Sequence, residues 1–220
     1  PNNLTFEQAA AFHTAYLTAY VSLVRRGNLT KGEALLVHGS TGGVGMAAVQ
    51  LGKYLGATVI ATGTSEEKLE FTKKWGADHT LLTHKDNIVD FRDEVKDITN
   101  GKGADVIYDP VGGDVFDHSI RCINWGGRLL VVGFASGRIP NLPINMALIK
   151  GFSVIGVRAG EYGRKDPKAG IENNNAIRKI CEEGHFSPYI CKEFDLKDAK
   201  DAIKFLSERK LVGKVIIKTN

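Results

Sequence analysis

The chain is poor in the residues that would make it a disulfide scaffold, a metal knuckle or a membrane span. Its three cysteines, Cys122, Cys181 and Cys191, are odd in number and include no C-x-x-C pair. They read as reduced, structural thiols of a cytoplasmic protein. No apolar run reaches the ~20 residues that a membrane helix needs. The opening Pro1-Asn2-Asn3-Leu4-Thr5 has the pattern of neither a signal peptide nor a transit peptide. Excess charge is also small. Lys and Arg number 29, Asp and Glu 25, for a net charge of +4. The two signs are interspersed, as in Lys68-Leu69-Glu70 and Lys197-Asp198-Ala199-Lys200. That is the pattern of a solvated surface and argues against a nucleic-acid partner. An initiator methionine is missing too, which leads to the expectation of a chain that begins inside a longer protein.

What the sequence does contain is an apolar strand-like run ending in glycine. Leu35-Leu36-Val37-His38-Gly39-Ser40-Thr41-Gly42-Gly43-Val44-Gly45 passes directly into the alanine-rich segment 46–54. Strand, tight turn, helix is the context of a dinucleotide-binding turn. Glycines let the backbone approach a pyrophosphate, and the helix start offers free N–H groups and partial positive charge to the anion. Against G-x-G-x-x-G the six residues are Ser40, Thr41, Gly42, Gly43, Val44 and Gly45, so serine stands in the first glycine position. The alternative for the turn alone is an ordinary strand–helix connection.

Strand and helix patterns alternate along the whole chain. Helices are expected at 5–26, 43–55, 65–75, 87–99, 114–123, 168–183 and 196–209. Strands are expected at 34–38, 57–62, 79–82, 104–108, 128–132, 153–157, 189–194 and 213–217. Ser65 has the character of a helix N-cap and Gly76 of a helix end. There is no internal repeat and no low-complexity linker. The pattern predicts one α/β domain: a Rossmann-type doubly wound parallel sheet in three αβα layers, extended by the sixth strand and the tail.

Cofactor choice is read at the end of the second strand. NAD-binding folds place Asp or Glu there for the ribose 2′-hydroxyl. Here Thr62-Gly63-Thr64-Ser65 has no acid at the tip, Glu66 and Glu67 suit a helix start, and Lys68 follows. Small hydroxyls with a lysine favour the 2′-phosphate, and so NADP(H) over NAD(H). Lys68 as an ordinary solvated helix lysine stays open.

Several ordered segments together resemble one family. They are 6–11 (FEQAAA), 17–20 (LTAY), 38–45 (HGSTGGVG), 103–113 (GADVIYDPVGG), 133–137 (GFASG) and 212–216 (VGKVI). The chain is similar to the quinone oxidoreductase branch of the medium-chain dehydrogenase/reductase superfamily, over almost all of its length. Serine before x-G-G-V-G is typical of that branch. The resemblance implies that residues 1–220 are the dinucleotide-binding domain, entered by a connecting helix over about 1–27, with the family's N-terminal catalytic domain absent from this chain. It also implies a zinc-independent reductase. In the zinc branch the metal-binding cysteine position, counted back from Tyr20, falls here on Thr14, a poor ligand; the neighbouring His13 reads as a lone surface or packing histidine.

Carried over by resemblance, Ser40, Thr41, Gly42, Gly43, Val44 and Gly45 face the pyrophosphate, while Thr64, Ser65 and Lys68 lie near the 2′-phosphate. His84 stands where related reductases often have a tyrosine near that phosphate, and as an imidazolium it is a further candidate to bind it. Phe134 and Ala135 offer backbone groups to the nicotinamide carboxamide. Thr18 approaches the nicotinamide from the connecting helix, and Lys214 is a further candidate near the cofactor. The implied reaction is hydride transfer from NADPH to a quinone or an activated alkene or carbonyl, with no general acid in this chain. The Tyr-x-x-x-Lys pair of short-chain dehydrogenases is missing, because Tyr162/Lys165 and Tyr189/Lys192 are one residue too close. No G-x-S-x-G nucleophile elbow occurs either. Two alternatives stay open: a non-catalytic NADPH-binding or interaction module, and an enoyl reductase module of a larger synthase. A small-molecule acceptor is the expected partner. A homodimer is expected across the uncharged strand Phe152 to Val157.

Overall fold

In the computed structural model, residues 1–83, 90–209 and 211–219 are described. The chain opens with helix α1 (Phe6–Tyr20), capped by a reciprocal Thr5–Gln8 box, and runs on through a π-helical turn, Val21–Arg26. Then follow β1 (Ala34–Val37), α2 (Gly43–Tyr54), β2 (Thr58–Gly63), α3 (Glu66–Lys74), β3 (His79–Leu82), α4 (Arg92–Ile98), β4 (Ala104–Asp109), α5 (Asp114–Cys122) and β5 (Ile123–Val131). The chain continues with α6 (Asn145–Lys150), β6 (Ser153–Gly156), α7 (Ala159–Lys165), α8 (Pro167–Glu182), β7 (Ile190–Asp195), α9 (Ala199–Ser207) and β8 (Lys214–Lys218).

Six strands form one parallel sheet in the order β3-β2-β1-β4-β5-β6. Alternation along each strand builds two cores. Leu35 and Val37 of β1, Val106 and Tyr108 of β4 and Leu130 of β5 pack with Phe12, Tyr16 and Ala48 on the face covered by α1 and α2. Leu36, Ile107 and Leu129, the residues between them, pack with Val95, Phe116 and Ile120 on the face covered by α4 and α5. The expected three-layer fold follows from this period of two.

Sequence order reverses between β1 and β4, which pair in parallel on either side of that point. All six strands therefore open their C-terminal ends on one edge, with a crevice at the reversal, the place where such sheets bind ligands. The glycine turn after β1 sits there.

The structure corrects three expectations. The tail does not extend the sheet: β7 and β8 form a separate two-stranded parallel sheet. A parallel bridge, Gly42 to Gly213, ties it to the glycine turn. Gly213 has φ +70°, and a Cβ there would stand 2.4 Å from the Tyr189 carbonyl oxygen, so glycine is what lets β8 come this close. β5 begins earlier than expected, at Ile123, because Trp125-Gly126-Gly127 is an irregularity within the strand rather than a loop before it. Helices α6 and α7 have no counterpart in the sequence pattern; both are short and lack the long apolar period that marks a helix in sequence.

Candidate cofactor-binding site

The turn between β1 and α2 is built from close backbone contacts. Ser40 is buried, its N–H and Oγ both donating to the Thr62 carbonyl at 3.1 and 2.9 Å. This clamps the turn to the end of β2, so the serine in the first motif position works as a fastener rather than as a free donor. A Cβ on Gly45 would lie 2.2 Å from the Gly39 carbonyl oxygen and 2.7 Å from Ser40 Cα. Gly45 is therefore the position that lets α2 close onto the turn. Gly42 caps α2 in an extended conformation and has no side chain to accept from the first helical N–H groups. Those of Gly43, Val44 and Gly45 lie at the start of a 12-residue helix with no side-chain cap, the condition under which a helix start receives an anion.

Lys214 lies across this opening. Its Cε would be 2.5 Å from a Cβ on Gly43, so the bare glycine is what admits the lysine stem. Thr41 holds β8 in place by accepting from the Gly213 N–H at 2.7 Å. The structure thus brings together seven of the expected residues: Ser40, Thr41, Gly42, Gly43, Val44, Gly45 and Lys214.

At the tip of β2, Ser65 caps α3 by accepting from the Lys68 N–H at 3.4 Å, and Thr64 is exposed beside it. Lys68 reaches away from its helix: its Nζ donates to the carbonyl oxygen of Arg209. Burial pulls the ammonium below its ordinary pKa, with Glu67 acting in the opposite direction. Arg209 was not singled out from sequence. It has φ +53° and sends its guanidinium to the Ala135 carbonyl at 3.3 Å. Arg209 therefore links Lys68, beyond β2, with Ala135, beyond β5, across the C-terminal edge of the sheet. Composition gives no sign of this, because the lysine–carbonyl contact spans 141 positions in sequence. His84 lies outside the described residues.

After β5, residues 133–138 lie against the turn that follows β4. Ala135 N–H donates to Pro110 O at 3.0 Å and Ser136 N–H to Val111 O at 2.9 Å. The Ala135 N–H is thus engaged, while the Phe134 carbonyl accepts from the Gly137 N–H at 2.9 Å and the Ala135 carbonyl from Arg209. Asp109 shapes the facing turn. Its buried Oδ1 accepts from the N–H groups of Val111 and Gly112, both at 2.8 Å, while burial raises its carboxyl pKa. Thr18, on α1, is half-buried and donates its hydroxyl to Thr14 O at 2.7 Å, leaving only acceptor capacity toward a ligand.

Beneath the site, His38 is completely buried. Nε2 stands 2.8 Å from Ser119 Oγ, and Ser119 gives its own hydrogen to Val115 O at 2.7 Å. Nε2 must therefore carry the proton, and Thr62, 2.8 Å from Nδ1, must donate to it. Burial pushes this imidazole down to a pKa of about 3. His38 is thus a neutral tie between β1, β2 and α5. No three His, Cys, Asp or Glu side chains converge as a metal site among the described residues. No helix among them is long and apolar enough to cross a membrane.

A six-stranded doubly wound sheet with an uncapped glycine turn at its reversal point defines a dinucleotide-binding domain. Comparison with known proteins narrows the class. Residues 43–173 match the family described as zinc-binding dehydrogenase. A quinone oxidoreductase-like protein 2 homolog from Nematostella vectensis is 37% identical over 220 residues, covering 100% of this chain and 60% of the relative. A component of the phenolphthiocerol/phthiocerol polyketide synthase of Mycobacterium tuberculosis is 31% identical over 217 residues, which is 99% of this chain and 10% of that protein. Mycobacterial Rv1454c, solved in complex with NADPH, superposes with a TM-score of 0.91 at 27% identity, covering 100% of this chain and 66% of the other. The chain belongs to the medium-chain dehydrogenase/reductase superfamily, as a nucleotide-binding domain of the quinone oxidoreductase branch. It spans about 60% of the length of the quinone oxidoreductase-like relative.

Proposed function

We propose that this chain is the NADP(H)-binding part of a zinc-independent reductase that delivers a hydride to a quinone or an activated alkene or carbonyl. The observation that carries the reading is the uncapped start of α2 at the sheet's reversal point, with Lys214 lying across it. When bound, the nicotinamide supplies the hydride. The residues of this chain bind and orient. Gly43, Val44 and Gly45 offer N–H groups to the pyrophosphate, and Lys214 adds charge. Lys68 gives its ammonium to the 2′-phosphate, with Thr64 and Ser65 beside it and Arg209 above. The absence of an acid at the end of β2 favours NADP(H) over NAD(H). Thr18 and backbone groups of Phe134 and Ala135 flank the nicotinamide. No side chain here is assigned as a general acid, and charge developing on the acceptor is met by donors outside this chain or by water.

Zinc independence is supported by Thr14 at the position of the zinc branch's cysteine. A cytoplasmic setting is supported by three free thiols. A homodimer across β6 is supported by that strand's place at the sheet edge, with Val154 exposed. The likeness to part of a polyketide synthase favours a second reading, an enoyl reductase module. The test is turnover by the full-length gene product with NADPH and a panel of quinones, enones and enoyl thioesters. Acceptor-dependent NADPH oxidation that survives chelation supports the main reading, and activity confined to thioesters supports the second. NADPH binding without turnover would leave a non-catalytic binding module.

A further inference from the structure

Asp109 ends β4 at the mouth of the crevice, and the hydride-transfer reading leaves it without a task. It is 2% exposed, and no cation among the described residues is paired with it. Burial raises its carboxyl pKa, against the pull of the Gly112 and Val111 N–H groups. An apolar side chain would end the strand without the cost of burying a carboxylate. What the carboxylate does there is local. Its Oδ1 takes both N–H groups at 2.8 Å and folds the chain back into a tight turn. Gly112 and Gly113 complete that turn with φ +66° and +61°, values that favour glycine.

The turn is a mould for the segment after β5. The Gly133 N–H donates to the Asp109 carbonyl at 3.3 Å, that of Ala135 to Pro110 at 3.0 Å and that of Ser136 to Val111 at 2.9 Å. Side chains of the segment rest on the two glycines. A Cβ on Gly112 would stand 3.0 Å from Phe134 Cδ1, and one on Gly113 would stand 2.6 Å from Ser136 Oγ. Backbone bonds and side-chain contacts alike therefore register residues 133–136 on the turn, and the Asp109 carboxylate holds the turn. The adenosine end of the crevice has anchors of its own: Ser40 is fastened to the Thr62 carbonyl, and Lys68 reaches the Arg209 carbonyl.

We propose that Asp109 is a positioning residue for hydride transfer. Acting through its turn, it sets where Phe134 and Ala135 meet the nicotinamide. The inference rests on the reading above, which puts those two residues beside the nicotinamide. It goes further in assigning the geometry of that end of the site to one buried carboxylate that does not itself touch the cofactor.

The test compares two ligands by calorimetric titration of the full-length gene product: NADPH, and 2′-phospho-ADP-ribose, the same molecule without its nicotinamide. Asp109→Leu keeps the volume and removes both acceptor oxygens. It should weaken NADPH at least tenfold, as two charge-assisted bonds that hold the turn are lost, and leave 2′-phospho-ADP-ribose within about twofold. Asp109→Asn keeps an oxygen for the two N–H groups and should restore NADPH binding to within about threefold of the unmodified protein. Asp109→Ser carries the comparison if the leucine variant does not fold. Its one short-reaching hydroxyl should give the same selectivity with a smaller loss. Equal weakening of both ligands in a folded variant would make Asp109 a merely structural residue and overturn the inference. So would unchanged NADPH affinity in Asp109→Leu or Asp109→Ser, or a loss in Asp109→Asn as large as in Asp109→Leu. Unmodified protein that binds neither ligand would lose the cofactor reading, and the inference with it. Unmodified protein that binds both, with no selective loss in the variants, would lose the inference alone.

Discussion

Substituting the two outer glycines of the turn separates holding the fold from holding the cofactor. Gly42 is in an extended conformation, and a Cβ there would meet only the Gly39 carbonyl oxygen, at 3.5 Å, an ordinary contact. Gly42→Val should therefore destabilise the domain by only about 0.5–1 kcal/mol, the difference between glycine and an apolar residue at an N-cap. The same side chain occupies the approach to the N–H groups of Gly43, Val44 and Gly45. Losing one or two charge-assisted hydrogen bonds there should weaken NADPH binding about 100-fold, or ~2.7 kcal/mol. Gly45→Ala is the opposite case. Its Cβ would stand 2.2 Å from the Gly39 carbonyl oxygen and 2.8 Å from the Gly39 carbonyl carbon. The turn or α2 must then retreat by roughly 1 Å in a close-packed region, at a cost of about 1–3 kcal/mol. Urea unfolding and calorimetric titration of both variants check this. Near-native NADPH affinity in a folded Gly42→Val chain would show that the turn is not the phosphate site.

Three further outcomes are expected. Lys68→Glu should weaken NADPH by about 1–3 kcal/mol and leave NADH almost unchanged, as read by titration with both; an unchanged ratio would make Lys68 a solvated helix residue. His38 should make the fold acid-sensitive. Its folded pKa of about 3 lies below the ordinary 6.5, so between those values the unfolded chain binds a proton that the folded chain refuses, and stability falls as pH falls through that window. From pH 8 to pH 5 the loss is about 2 kcal/mol at 1.36 kcal/mol per pH unit, and His38→Gln should show a correspondingly shallower decline, while equal slopes in denaturant melts would refute the buried neutral imidazole. Light scattering should show a dimer that Ile155→Lys converts to monomer; a dimer surviving that change would place the contact away from β6.

The parts legible in the sequence are those with short-range physical signatures. β1 and α2 could be read from a four-residue apolar run, a glycine cluster and an alanine-rich helix, and Ser65 from the capping preference of serine. Lys214 at the turn was expected only from the resemblance, and the structure gives the reason: Gly43 has no side chain to exclude it. The rest depends on contacts between distant segments. β7 and β8 have the pattern of sheet strands, yet nothing local says which sheet they join; that is decided by Gly213 meeting Tyr189 and Thr41. Arg209 sits in a charged stretch like any surface arginine until the fold carries it to Lys68 and Ala135.

The central claim, a 2′-phosphate-selective dinucleotide site at the start of α2, is tested most directly by calorimetric titration of the unmodified chain with NADPH and NADH at matched salt. One-to-one binding is expected, with NADPH tighter by about 10- to 100-fold, the worth of one or two charge-assisted phosphate contacts. Equal affinities, a preference for NADH, or no binding of either would contradict it.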